Sequence, residues 1–182
     1  IDVRTPYAAG NVEDAPDLVV VGNVIRRDNV EAAAVRERDL VHTSFPAAFA
    51  KLFLEGRRSV VVAGTHGNTT TSSLLSWSLF DAGHAPGFPI GGIPTNAFAA
   101  PDAEERREPA GESFRVGART PETAVVVEGD EYDTAYFDKG PKFLHYRPEV
   151  LLVTSLEYDH ADIYADVDEI VERFVQLFSL VP

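Results

Sequence analysis

The sequence predicts an α/β protein built on a parallel sheet, and three observations carry that prediction. Runs of β-branched and other apolar residues at 17–22, 59–63, 123–128 and 149–154 read as short buried strands. Stretches with apolar residues at helical spacing separate them, so the strands are expected to be parallel neighbours joined by crossovers. Finally, the run at 59–63 enters a glycine turn, Gly64-Thr65-His66-Gly67, that opens directly into a helical pattern.

The elements follow in order. Residues 17–22, DLVVVG, form a strand that ends in a glycine turn. Residues 29–38 are a helix with Asn29 placed as its N-cap. Leu40, Val41 and His42 are too few to assign. A helix over 45–54 begins near Pro46 and carries Ala47, Phe49, Ala50, Phe53 and Leu54 on its apolar side; Gly56-Arg57-Arg58 breaks it. After the strand at 59–63, residues 69–82 form a helix closed by Gly83. A glycine- and proline-rich stretch follows, and the polar segment 101–119 is expected to be a surface loop and the least ordered internal part. Strands at 123–128 and 149–154 come next. A closing amphipathic helix over 167–180 has Ile170, Val171, Phe174, Val175, Leu177 and Phe178 as its apolar residues.

Composition narrows the function. The 182 residues suffice for one large domain, or for one domain and part of another. A net charge of −13 argues against a general nucleic-acid surface. It also means that an anionic substrate must be met by helix N-termini, metal ions or a few arginines. The chain has no cysteine, which excludes disulfides, thiol catalysis and cysteine metal sites, and a cytoplasmic location is expected. No apolar run reaches the ~18 residues of a membrane span, and no signal peptide is visible, so no membrane insertion is expected. Methionine is absent as well, so Ile1 is not an initiator and the chain is expected to be a fragment.

Residues 60–79, VVVAGTHGNTTTSSLLSWSL, have the layout of a phosphate-binding loop. Gly64 and Gly67 give the backbone freedom to turn its N–H groups toward an anion, and the following helix adds partial positive charge. Thr69 stands where such a loop places its Mg²⁺-binding hydroxyl, and Thr70 offers a second hydroxyl. The loop's usual lysine is absent: that position is Asn68. A plain strand–helix turn is the alternative. Farther along, Glu128, Asp130, Glu131 and Asp133 crowd the end of the strand at 123–128. The strand at 149–154 leads to Asp159-His160, in which His160 can serve as a metal ligand or a base. Carboxylates beyond the C-terminal ends of parallel strands are placed to hold Mg²⁺, a hard cation that favours oxygen and phosphate. A solvated acidic loop is the alternative there.

Taken together these motifs resemble the Mur ligase family, the ATP-dependent amide-forming enzymes of peptidoglycan assembly. The family's loop reads Gly-Thr-His/Asn-Gly-Lys-Thr-Thr, and Gly64-Thr65-His66-Gly67-Asn68-Thr69-Thr70 matches it except at the lysine. The string at 128–164, EGDEYDTAYFDKGPKFLHYRPEVLLVTSLEYDHADIY, is most similar to the branch that adds a preformed murein tripeptide. The branch that adds L-alanine shares the loop but usually lacks the string at 130–148.

The resemblance implies a partial UDP-binding, Rossmann-like domain over 1–43 and a partial central ATP-binding domain over 44–182, without the C-terminal domain. It implies that Gly64, Thr65, His66, Gly67, Asn68, Thr69 and Thr70 wrap the phosphates of ATP. Thr69, Glu128 and His160 would hold Mg²⁺, and Asn68, Glu128 and His160 would serve catalysis. Asn23 is placed on the UDP-sugar side, with Tyr132, Asp133, His145 and Arg147 as substrate-side candidates. The implied reaction phosphorylates the carboxylate of UDP-N-acetylmuramate to an acyl phosphate. The amine of L-Ala-γ-D-Glu-meso-diaminopimelate then attacks it, in peptidoglycan recycling. Ser155 departs from the family's asparagine, and Asn68 from its lysine; the second departure is expected to cost at least roughly 10²–10³ in rate. A ligase for L-alanine, or a nucleotide- or UDP-sugar-binding homologue with impaired catalysis, remains the alternative. The oligomeric state is open.

Overall fold

The computed structural model describes residues 2–94, 113–157 and 166–182. Its centre is a three-stranded parallel sheet of β3 (Arg58–Ala63), β6 (Ala124–Gly129) and β9 (Val150–Val153), in the order β6-β3-β9. Val61 lies opposite both Val127 and Leu151 in the register. The expected strands at 59–63, 123–128 and 149–154 are these three, displaced by a residue or less at each end.

The apolar runs are continuous because each face of the sheet meets its own core. Val61, Ala63, Val125 and Val127 face a cluster with Phe143, Ile170, Phe174 and Leu177. Val60, Val62 and Val126, the alternate positions, face Phe88 and Ile90, with Leu75, Leu79 and Phe80 packed against them. Period-two side-chain alternation assigns one apolar run to two layers. On the second face lies α3 (Asn68–Asp81), which turns Ser72 and Ser76 inward, both fully buried. Their small side chains let the helix approach the strands closely. On the first face lies α4 (Val167–Phe178), capped by Asp166, whose carboxylate accepts from Glu169 N at 3.0 Å.

In α4 the buried stripe is Ile170, Phe174 and Leu177. Val171, Val175 and Phe178, expected on the same apolar side, are exposed. The helix therefore shows apolar residues on a wider arc than these two layers cover. On β9, Val150, Leu152 and Val153 are likewise exposed.

Ahead of this unit, β1 (Val19–Val21) pairs in parallel with β2 (His42–Ser44), which closes the segment left unassigned in the sequence. Between them runs α1 (Val30–Glu37). Asn29 caps it as expected, its Oδ1 accepting from Glu31 N at 2.9 Å and Ala32 N at 3.3 Å. Asn29→Ala is expected to cost about 1 kcal/mol of stability, measurable as a lowered midpoint in urea unfolding. The expected helix at 45–54 is two pieces. Regular α2 (Phe45–Phe49) gives way to a wider turn over Ala50–Leu54, in which Glu55 N donates to Ala50 O at 3.0 Å. Phe45, Phe49 and Phe53 stack in series along it.

Two segments carry more structure than their composition suggests. Part of the glycine- and proline-rich stretch is structural. Its β4 (Phe88–Pro89) pairs antiparallel with β5 (Phe114–Arg115), and Phe88 is fully buried. Of the polar segment 101–119, residues 101–112 lie outside the described residues, but 113–119 is tied down. Ile90 N donates to Ser113 O, and the Arg57 guanidinium donates to Val116 O at 2.6 Å and Ala118 O at 3.0 Å. The arginine that breaks the preceding helix thus anchors a segment 59 residues away.

Finally, β7 (Asp133–Ala135) and β8 (Asp138–Pro141) form a hairpin with Tyr136 and Phe137 at its tip. It leans on the N-terminal segment: Arg36 Nη1 donates to the Tyr136 hydroxyl at 3.0 Å, and Ser44 Oγ donates to Asp138 Oδ2 at 3.0 Å.

Candidate functional site

The loop between β3 and α3 sits at the C-terminal end of the central strand, where a parallel sheet leaves its crevice. Gly64 (φ +143°) and Gly67 (φ +81°) adopt backbone that other residues disfavour. The end of β9 pins the loop from beneath. Thr65 N donates to Ser155 O, and His66 N to Ser155 Oγ at 3.0 Å. The Thr154 hydroxyl donates to His66 O at 2.6 Å, and Glu157 N to Thr65 Oγ1 at 3.1 Å. Ser155 therefore has a defined role here: it shapes the loop. His66 Nε2 lies 3.9 Å from Glu157 Oε2.

Across β3 stands Glu128, at the end of β6. Its Oε2 accepts from the Thr69 hydroxyl at 3.2 Å, and its Oε1 from Gly91 N at 2.8 Å. Burial raises the Glu128 pKa. The Gly91 N–H opposes the rise, Asp130 adds to it, and Thr69 and Lys142 counter it. A half-buried carboxylate whose charged form is disfavoured in the free protein is one that a bound cation would relieve.

The Thr69–Glu128 pair has the chemistry of a Mg²⁺ site. Two adjacent ligands of an octahedral ion at 2.0–2.1 Å stand about 2.9 Å apart, and these two oxygens are 3.2 Å apart. Among the described residues no group of three or more acidic, histidine or cysteine side chains could hold a metal by itself. Mg²⁺ suits such a sparse set, because it keeps waters and completes its shell with phosphate oxygens.

At the position of the usual lysine, the Asn68 amide is hydrogen-bonded through both its oxygen and its nitrogen. Asn68 Oδ1 accepts from Thr69 N at 2.9 Å, and Asn68 Nδ2 donates to Asp130 Oδ1 at 3.3 Å. Lys142 Nζ holds the other oxygen of Asp130 at 2.9 Å and lies 4.2 Å from the Tyr132 ring centre. Tyr132's own hydroxyl is held protonated by burial, with Asp130 adding to the effect.

The four acidic residues expected to crowd one strand end separate in space. Glu128 and Asp130 reach the loop. Glu131 is buried, and Asp133, on β7, pairs with Lys139 at 2.6 Å. His145 Nε2 lies 2.9 Å from Asp138, against the N-terminal segment. Arg147 lines a cavity with Ser59 at the opposite end of β3 from the loop. Asn23 lines a cavity of about 240 Å³ with Gly22, Phe45, Thr134 and Lys142. Thr70 lines another with Thr69, Trp77 and Ile93. His160 lies outside the described residues.

Three contributors escaped the sequence reading: Gly91, Ser155 as a loop support, and Lys142. Gly91 and Lys142 carry no local signal, since one is a glycine among many and the other a lysine in a turn. Distant pairing alone brings them to the loop.

Residues 62–182 match the Mur ligase middle domain, about two thirds of the chain. The chain belongs to the Mur ligase family. Over its whole length it is 39% identical to the UDP-N-acetylmuramate–L-alanyl-γ-D-glutamyl-meso-2,6-diaminoheptandioate ligase of Escherichia coli K12, of which it covers 36%. It is 37% identical to the UDP-N-acetylmuramate–L-alanine ligase of Thermobifida fusca, over 98% of this chain and 33% of that protein. The crystal structure of the diaminopimelate-tripeptide ligase from Neisseria meningitides superposes with a TM-score of 0.81 at 38% identity, covering all of this chain and 54% of that one. The chain thus spans about a third of the length of the curated relatives it matches. The parallel sheet, the loop and α3 are the Mur ligase middle-domain fold. No described helix is long and apolar enough to cross a membrane.

Proposed function

We propose that this chain is the nucleotide-binding part of a ligase that joins UDP-N-acetylmuramate to L-Ala-γ-D-Glu-meso-diaminopimelate at the expense of ATP. The observation that carries the reading is the pairing of Thr69 with Glu128 beside a glycine loop. Residues 1–43 then belong to a UDP-binding domain and 44–182 to the ATP-binding domain, in a protein acting in peptidoglycan synthesis and recycling inside the cell. The tripeptide is favoured over L-alanine by the string at 130–148 that marks the tripeptide-adding branch, within which the β7–β8 hairpin lies.

Gly64 to Thr70 would wrap the β- and γ-phosphates with backbone N–H groups. Thr69 and Glu128 would hold a Mg²⁺ ion, which supplies charge neutralisation at the phosphates and fixes their geometry. His160 is the proposed further ligand. On this reading the carboxylate oxygen of UDP-N-acetylmuramate bonds to the γ-phosphorus as the bond to ADP breaks. The tripeptide amine then bonds to the acyl carbon, loses a proton, and phosphate departs. Asn23, Tyr132, Asp133 and His145 remain the substrate-side candidates, whereas Arg147 lies at the end of β3 away from the loop; Asn23 has the best-placed cavity, because Lys142, which holds Asp130, also lines it.

The test is phosphate release by the full-length protein with ATP, Mg²⁺ and UDP-N-acetylmuramate. Release is expected with the tripeptide at a rate at least roughly 10²-fold above that with L-alanine, the discrimination available where a site's polar groups are matched by one substrate only. Faster release with L-alanine would move the protein to the other branch. Mg·ATP binding without release under either condition would favour a homologue with impaired catalysis, the reading that Asn68 supports.

A further inference from the structure

We infer that Lys142 is the cation that serves the nucleotide phosphates in this chain, in place of the lysine that a phosphate loop carries at the position of Asn68. The inference rests on the nucleotide reading above and names the residue that makes it electrostatically workable.

The need is plain from the charges. The loop itself brings no lysine, Glu128 and Asp130 stand against it, and the chain's net charge is −13. Mg²⁺ offsets part of a triphosphate's charge, and a preorganised cation is needed for the rest. Among the described residues, Lys142 is the one cation acting on Glu128.

Its position fits the task. One carboxylate, that of Asp130, touches Asn68 Nδ2 with Oδ1 and Lys142 Nζ with Oδ2. The ammonium therefore stands one side chain away from the place of the missing charge. Both members of the Lys142–Asp130 pair are only 17% exposed, so water does little to screen the ammonium. The face of Tyr132 supports it from another side. An ammonium has three donors on a flexible stem, so it can keep Asp130 and still reach a phosphoryl oxygen.

Lys142 also stands at a boundary. It lines the cavity of about 240 Å³ that holds Asn23. It equally lines one of about 400 Å³ that holds Glu128 and Asp130. Phe45 is the other residue common to both. A cation in that shared wall lies between the side of Asn23 and the side of Glu128 and Asp130, the two carboxylates that touch Thr69 and Asn68 of the loop; on the nucleotide reading, that is where a carboxylate and a transferable phosphoryl group must meet. The hairpin produces this placement: β8 ends at Pro141, and the next residue is Lys142.

The experiment is calorimetric titration of the protein with Mg²⁺ and the β,γ-imido analogue of ATP, and separately with Mg·ADP. Lys142→Gln is expected to weaken the analogue roughly 10-fold or more and ADP by less than about 3-fold. Lys142→Arg is expected to stay within about 3-fold of the parent, since the charge is kept. Adding Asn68→Lys to Lys142→Gln is expected to restore most of the loss, by returning a charge to the same carboxylate. Should Lys142→Gln fail to fold with Asp130 unpaired, Asp130→Asn with Lys142→Gln retains a hydrogen-bonded pair and carries the same comparison. Unchanged affinity for the analogue in a folded variant overturns the inference. So does an equal loss for both nucleotides that Asn68→Lys does not rescue, which would mark Lys142 as a partner of Asp130 only. A parent protein that binds neither nucleotide overturns the nucleotide reading itself, and this inference with it.

Discussion

Glu128→Gln is expected to lower ATP-dependent phosphate release by the full-length protein roughly 10²–10³-fold, while making the free protein more heat-stable at neutral pH. The two effects have one cause. Glu128 is half-buried beside Asp130, and its pKa is raised, chiefly by burial. The folded state therefore holds the Glu128 proton more tightly than the unfolded state does. Between the two pKa values the native protein carries more protons, so stability falls as pH rises through that interval and stays lower above it. Gln keeps the side chain's shape, and its carbonyl oxygen can still accept from Gly91 N. It removes the charge that is unfavourable in the free protein and needed by Mg²⁺. The melting temperature of Glu128→Gln should exceed the parent's at neutral pH, and the difference should vanish below the ordinary glutamate pKa of about 4.3. Thermal scans across pH, with Mg·ATP titrations of the same samples, check both halves. A Gln variant that binds Mg·ATP as the parent does would remove Glu128 from the metal site.

The second large effect is expected at Gly64. Gly64→Ala should destabilise the protein by about 2–5 kcal/mol and remove nucleotide binding in whatever fraction stays folded. The glycine has φ +143°, a conformation strained for any side chain. An added Cβ would lie 2.2 Å from Thr154 Oγ1 and 2.9 Å from both Ser155 N and Ser155 O. Two of these atoms are backbone and cannot swing away. The clash would drive the loop off the end of β9, the support that Thr154 and Ser155 provide through His66. Gly83→Ala is the control: it also has positive φ (+85°), but nothing lies within 4 Å of its added Cβ. It should lose only the conformational cost and keep nucleotide binding. Urea unfolding of the two variants measures the difference, and equal losses would mean that contact with β9 does not hold the loop.

By itself, the sequence determined β1, β3, β6 and β9, the helices α1, α3 and α4, the turn between β3 and α3, and the family. These are properties of neighbouring residues. Burial on both faces writes an unbroken apolar run into β3 and β6, and an N-cap is written in Asn29. A strand–loop–helix turn needs its glycines and hydroxyls within a few positions, so Gly64, Gly67 and Thr69 were legible in order. Tertiary structure alone decided which distant groups complete the site. The spread of carboxylates at 128–133 reads as one cluster, yet the register of β6 on β3 delivers Glu128 to Thr69, while β7 carries Asp133 off to Lys139. Gly91 arrives because Phe88 and Ile90 are drawn into the core beside it. Lys142 arrives because a hairpin returns the chain to Asp130. Such meetings depend on pairing register and on the packing of segments far apart in the chain, and a local pattern of residue types does not encode either one.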